Sequence, residues 1–431
     1  MKARNLLYLF LLLGFFTACT PEESEVLDFG QIKIAKVELG ADARQLIADG
    51  VATLTLNPML YQECTFQDKD GRDSIGYGRI PADRFPSDVV RYFLEDGTVL
   101  DGAEYKTTDA SQGNVGFYIT VNDMKSDVFT VKLREPFAED KYETITYPVV
   151  FHVVQATESV EAGQAIGADL IYEIFNNMCN VFAHESIFTP NGADTRIRFQ
   201  LAEYDPDGMQ MKEKGVNRHT ELKRYMQSDL LPNLENAIKT SKYYTDILWD
   251  YKKYLNIWII EGAQRNVAAP PAYILAGTEL LEGVSMQEKS EAEFENVNWN
   301  IYDIGLLFDA SDFTSNEGMP YGYIGQMGTF FGLRPTENMD VTGEVASDYC
   351  DDTVPYRTYT ESWYDENGND ANNRLKITDD GLLFYSTNIM DNQSFRSSIT
   401  MDQVKRIRTI TDNCPLRWAW KSKWAFTGKE D

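Results

Sequence analysis

The chain has 431 residues, 43% of them hydrophobic, 13% aromatic and 25% charged, which is the balance of a globular protein. Its 67 acidic residues outnumber 40 Lys and Arg, for a formal charge of −27. That excess argues against a nucleic-acid partner, since phosphates demand basic surface, and it favours cationic or neutral partners while saying nothing of fold.

The first segment reads as an address. Lys2 and Arg4 precede an apolar run over residues 6–16 that is too short to cross a bilayer as a helix. It ends in Phe16-Thr17-Ala18-Cys19, which resembles a bacterial lipobox: small residues, then a cysteine that becomes the lipidated first residue. Residues 1–18 are expected to be a lipoprotein signal peptide, with Cys19 anchoring the chain to a membrane that it does not cross. The other reading is an ordinary secretory signal cut after Ala18, which leaves Cys19 a free thiol. Residues 19–29 are an acidic tether, too polar to bury a core. Its acidity suits either a surface-export signal of bacterial lipoproteins or a plain solvated linker. The expected location is the bacterial outer membrane or cell surface.

Residues 30–140 read as β. Ile32, Ile34 and Val37 alternate with polar neighbours, and Ala48-Asp49-Gly50 is a turn before a strand over 52–56. Asp96-Gly97 and Asp101-Gly102 mark further turns, and residues 115–121 and 128–133 alternate with period two. Short strands at this spacing predict a β-sandwich of immunoglobulin (Ig-like) type.

A polar stretch over 136–143 separates this module from a mixed pattern over 145–431. Residues 146–154 are a buried strand, and Leu170, Ile171, Ile174, Phe175, Met178, Val181 and Phe182 recur at helical spacing. Strands follow at 196–201, 254–260 and 303–308, with a largely helical stretch expected over 222–251 and a polar surface insertion over 276–300. Residues 323–331 have helix spacing. Thr400-Met401-Asp402-Gln403 is a capping box that opens a helix ending before Pro415. Beyond Cys19 stand Cys64, Cys179, Cys350 and Cys414, which allow three pairings in an exported chain. Cys64 lies in the other module and Cys179 on the helical stripe, so Cys350–Cys414 is the expected disulfide.

Several pieces resemble, in this order, a pappalysin-type (pregnancy-associated plasma protein-A-like) zinc metallopeptidase of the metzincin class. They are YPVVFHVV from Tyr147, the long helix, YDPDG from Tyr204, Gly215-Val216-Asn217-Arg218 and YLNIWII from Tyr254. Then come Phe331-Gly332-Leu333-Arg334, residues 347–353, Asn388-Ile389-Met390-Asp391 and the helix from Thr400, so that the likeness covers residues 145–415. It implies an α+β metzincin-like domain over 145–431 with a zinc motif H-E-x-x-H-x-x-G-x-x-H, in which histidines hold the metal and the glutamate works on bound water. Here the histidine positions are Gly325, Thr329 and Pro335, the glutamate position is Gln326, and only the turn residue Gly332 is kept. Met390 matches the methionine of the turn beneath the metal. Glycine and proline offer no side-chain ligand, threonine is a poor one for zinc, and glutamine is no general base. Gly325 and Gly328 also weaken the helix by roughly 1 kcal/mol each relative to alanine unless packing holds it.

The remaining candidates are bland. His184-Glu185 is followed by Phe188 where a zinc helix needs histidine; His152 reads as a satisfied core residue and His219 as a loop residue. Asp348, Asp351 and Asp352 suit either calcium or a solvated loop. Trp418, Trp420, Trp424 and Phe426 suit either a ligand platform or a cover for the core. The expectation is therefore a lipid-anchored pseudopeptidase, without catalytic residues or zinc, that binds a peptide or protein. The alternatives are a zinc endopeptidase with atypical ligands and a structural or adhesive surface protein. Cys19→Ser should abolish incorporation of labelled palmitate and release the protein from membranes; unchanged labelling would disprove the anchor.

Overall fold

The computed structural model describes residues 32–67, 72–80, 85–86, 88–185, 189–220, 246–263, 266–297, 299–313, 322–337, 347–354, 356–358, 375–378, 383–391 and 396–430. The signal peptide, Cys19 and the acidic tether lie outside them. The fold is mixed α/β with several sheets. Among the described residues no helix is long and apolar enough to cross a membrane.

The chain forms two compact units. The smaller comprises the described parts of Met1–Glu38, Pro58–Arg91 and Ile119–Ser126. Its main feature is an antiparallel pairing that runs in register from Leu60↔Ile80 to Gln67↔Asp73. Gly78 lies opposite Gln62, and a Cβ there would meet the thiol of Cys64, two residues along the partner strand.

The larger unit takes Leu39–Asn57, Tyr92–Tyr118 and the described residues from Asp127 onward. Strand β1 (Gln45–Ile47) pairs parallel with β3 (Phe129–Arg134), which pairs antiparallel with β2 (Asn114–Val121). Beyond these lies a five-stranded parallel sheet. Its centre is β4 (Ile145–Val154), flanked by β5 (Ile197–Leu201), β6 (Val216–His219), β7 (Leu255–Ile260) and, beyond β7, β8 (Gly305–Asp309). The registers Tyr147↔Phe199, Phe151↔Val216, Val150↔Asn256 and Trp258↔Leu307 fix the order. β4, β7 and β8 are buried almost throughout, which explains their near-continuous apolar sequences: a parallel sheet covered on both faces has no polar side.

The helices expected from apolar spacing are α1 (Ala168–Phe182), α2 (Gly322–Phe330) and α3 (Met401–Asn413). Thr400 and Gln403 form the expected capping box, with Thr400 N donating to Gln403 Oε1 at 3.0 Å. Phe182, Phe199, Tyr147, Phe331 and Phe330 make a chain of ring contacts 5.1 to 6.1 Å apart that joins α1 and the sheet to the end of α2. Two expectations need correction. Residues 276–300 are not wholly a surface insertion, because Gln287–Lys289 pairs with Tyr273–Leu275 and Phe294 is in the core. The helical stretch over 222–251 lies outside the described residues up to 245, and 246–251 is turn and irregular chain.

Cys350 and Cys414 are not a disulfide; both are buried free thiols, pushed above their ordinary range by burial. α3 separates them. Cys414 follows its last turn, whereas Cys350 lies two residues from Asp352, which binds the first turn. Thirteen residues of helix span about 20 Å, far beyond the roughly 7 Å Cα limit of a disulfide.

His152, fully buried on β4, is the core residue that its apolar strand suggested. Nδ1 accepts from Asn217 Nδ2 at 3.0 Å and Nε2 donates to Asn256 Oδ1 at 2.9 Å, an assignment set by the amides' other bonds to Asp246 O and Trp249 O. Burial lowers its pKa from 6.5 to about 3. The unfolded chain therefore takes up a proton that the folded chain refuses, and stability falls as pH drops from 6.5 toward about 3. Asp42 and Asp352, both raised to about 6 by burial, act in the opposite sense but equally in a variant at position 152. The destabilisation caused by His152→Gln should thus shrink by up to about 1.4 kcal/mol per pH unit between neutral pH and about pH 4 in urea titrations. A constant difference would refute the neutral imidazole.

Candidate functional site

Helix α2 carries Gly325 and Gly328 on one side and faces the core with the other. Tyr323, Met327 and Phe330 share its buried face, where Asn177 Nδ2 donates to Tyr323 Oη at 2.6 Å and that hydroxyl donates to Ile174 O at 3.2 Å. On the other side the backbone itself is the contact surface. A Cβ at Gly325 would collide with the Arg396 guanidinium and lie 3.0 Å from Ile389 O. A Cβ at Gly328 would collide with the Met390 sulfur. The glycines that weaken α2 as an isolated helix are what let the Met390 turn and Arg396 pack against it.

Among the remaining motif positions, Thr329 Oγ1 turns back to donate to Gly325 O at 3.2 Å, Gln326 is half-buried and Pro335 is exposed. Gly332 has φ +90°, which a glycine adopts without strain, so the turn survives. The next residue after Pro335 closes onto the Met turn. Thr336 N donates to Met390 O at 3.2 Å, and Thr336 Oγ1 to Asp391 Oδ1 at 2.5 Å. The structure brings Gly325, Gly328, Met390 and Arg396 together; the sequence placed Gly325 and Met390 here by resemblance alone, and Arg396 carried no signal in it.

The charges here differ from those of a metal centre. Asp391 is 1% exposed and Lys376 2%. Burial raises the Asp391 carboxyl despite the pull of Lys376 and Arg396, and burial lowers both cations. A dication beside Gly325 would meet a guanidinium and no ligand side chain, so these residues do not fit zinc. Among the described residues no group of three His, Cys, Asp or Glu could hold a metal ion. Nor do the three aspartates suited to calcium converge. Asp348 Oδ1 accepts from Cys350 N and the Thr353 hydroxyl, Asp351 is exposed, and Asp352 is spent on protein donors.

Those donors build a node. Asp352 accepts from Thr400 Oγ1 at 2.6 Å, Asp402 N at 2.8 Å and Arg134 Nη1 at 3.1 Å, while Arg134 also grips Asp402 through both nitrogens. Beside the node lies a cavity of about 560 Å³, walled mostly by Ser, Thr and Asn. Asp42, Glu104, Asp352 and Asp391 line it, and among the described wall residues Lys106 is the one cation. Asp42 is held by Thr55 N at 3.0 Å, and burial raises its carboxyl to about 6. Asn57 Nδ2 and Thr189 Oγ1, also in the wall, are buried with no hydrogen-bond partner. Composition could not have found this cavity, because its lining comes from many separated stretches of chain. Trp424 packs on the body of the fold, donating to Asp205 O at 3.0 Å, and Trp420 donates to Thr411 O at 3.2 Å, so the aromatic tail covers the core.

No family model and no curated protein matches the sequence. Among solved structures, the chain is distantly similar to mirolysin, a pappalysin-family metallopeptidase of Tannerella forsythia. Mature mirolysin in complex with a cleaved peptide is 19% identical, with 66% of this chain and 97% of that one covered at a TM-score of 0.42. Mirolysin in complex with compound 9 gives 19%, 66%, 98% and 0.44, and a promirolysin mutant 19%, 66%, 85% and 0.42.

Gly325→Ala tests the packing of α2. Helix propensity alone favours alanine by about 1 kcal/mol, yet overpacking should make this variant less stable by about 1–3 kcal/mol. Gly322→Ala is the control: among the described residues nothing lies within 4 Å of the new methyl, and stability should hold or rise in urea unfolding.

Proposed function

We propose that this chain is an exported, lipid-anchored binding protein whose metallopeptidase-like region holds a peptide or protein without hydrolysing it. The observation that carries the reading is Arg396, whose guanidinium fills the space a side chain at Gly325 would need. A metal-bound water needs a cation with open coordination and a nearby base; this position offers a fixed guanidinium and Gln326. Residues 30–140 are read as an Ig-like spacer, and Cys19 as the anchor at the outer membrane or cell surface.

The ligand's place is the polar cavity beside the Met390 turn. Its carboxylates and the chain's charge of −27 favour a peptide that presents a cationic side chain. A structural or adhesive role is the second reading, favoured by how completely Arg396 and Met390 fill the notches of α2.

The test has two arms. With zinc added, the purified protein should leave casein and a peptide library intact; chelator-sensitive cleavage would overturn the reading. In calorimetry, a lysine- or arginine-containing peptide should bind and weaken as pH falls through about 6, where Asp42 takes up its proton. Asp42→Asn should lower affinity about tenfold at pH 7.5. Failure of every cationic peptide to bind would leave the structural role standing.

A further inference from the structure

A second, smaller cavity lies elsewhere in the larger unit, at the C-terminal half of α3. It holds about 250 Å³ and is walled by Lys141, Tyr142, Arg408, Asp412, Trp420 and Lys421, with Glu143 at its rim. In a chain with 27 more acidic than basic charges, three cations around one small cavity run against the composition.

Arg408 is the centre. It is 3% exposed. Nη2 pairs with Asp412 Oδ1 at 3.1 Å, but Nε and Nη1, both buried, meet no hydrogen-bond acceptor among the described residues. A buried guanidinium with unmet donors is destabilising, because it has lost water and gained only part of a partner. The Tyr142 ring lies 5.2 Å from its Cζ, which supplies a π face but no acceptor oxygen. Lys421 stands over Trp418 and Trp420, 3.0 and 5.4 Å from the ring centres, and its ammonium is held below the ordinary lysine value by burial.

We infer that this cavity is a binding site for an oxyanion, a carboxylate or a phosphate group, received by the buried Nε and Nη1 of Arg408 and by Lys421. Nε and Nη1 lie on different edges of the guanidinium, so each offers one N–H to a separate oxygen, and Lys141, Arg408 and Lys421 exceed the wall carboxylates Asp412 and Glu143 by one charge. Tyr142 is the cover: its ring must turn aside for the anion to reach Nε and Nη1. The site shares no residue with the polar cavity beside the Met390 turn, and it does not depend on the binding role proposed above.

The experiment is calorimetry on the purified protein at low ionic strength, with sodium phosphate and sodium acetate as separate probes at matched ionic strength. One saturable site is expected for at least one of them. Preference for phosphate points to a phosphorylated ligand, and preference for acetate to a carboxylate ligand; either supports the site. Arg408→Gln should weaken binding about tenfold, and Lys421→Gln, on an exposed residue, about threefold with an unchanged melting temperature. If Arg408→Gln does not fold, Lys421→Gln decides alone. Equal affinity in Lys421→Gln and wild type would mean an adventitious ion only, and no saturable binding of either probe would equally overturn the proposal.

Discussion

Helix α2 lies against the Met390 turn because Gly325 and Gly328 put nothing between the two backbones. Everything around the vestigial site follows from that approach. The turn is itself fixed from below by a reciprocal amide pair, in which Asn388 Nδ2 donates to Gln403 Oε1 at 2.8 Å and Gln403 Nε2 to Asn388 Oδ1 at 2.9 Å. Gln403 also serves the N-terminus of α3. Gln403 thus ties the turn to the start of α3, and a side chain added at Gly325 or Gly328 would press on that turn through Ile389 O or the Met390 sulfur.

The same helix is framed by arginines. Arg396 fills the notch at Gly325. Arg417, 2% exposed, donates through Nε to Phe330 O at 3.1 Å and sits 3.6 Å above the Phe330 ring. Arg406 donates to Gly332 O at 3.1 Å. The last carbonyls of a helix lack intrahelical partners and carry the negative end of its dipole, so cations there satisfy both needs. The sequence of α2 supplies no basic residue for its own last turn, and the tertiary fold brings them in. Burial lowers the pKa of all three guanidiniums, a measure of how strongly the packing must hold them.

The Asp352 node does for the larger unit what the glycines do for the site. Arg134 ends β3, Asp352 sits on the loop after Cys350, and Asp402 is in the first turn of α3. Breaking such a group by removing one member leaves a buried charge, which is why one residue can serve a strand, a loop and a helix terminus together. The polar cavity lies against this node, walled by residues that the node positions.

Much of this protein could be read without coordinates. Apolar runs gave strands β4 and β7 and alternation gave β5, though not that they pair in parallel; helical spacing gave α1, α2 and α3, and Thr400 with Gln403 gave the start of α3 to the residue. That Gly325 and Pro335 offer no metal ligand was equally a matter of residue identity, since glycine and proline carry none in any fold. What sequence could not decide was proximity. Cys350 and Cys414 looked paired until a helix about 20 Å long stood between them. Gly325 looked like a weakened helix until Arg396 occupied its missing side chain, and the cavities at Asp42 and Arg408 exist only where distant segments meet. Local pattern is fixed by each residue's own chemistry; who fills the space beside a glycine, and which buried charges face one another, is fixed only by packing.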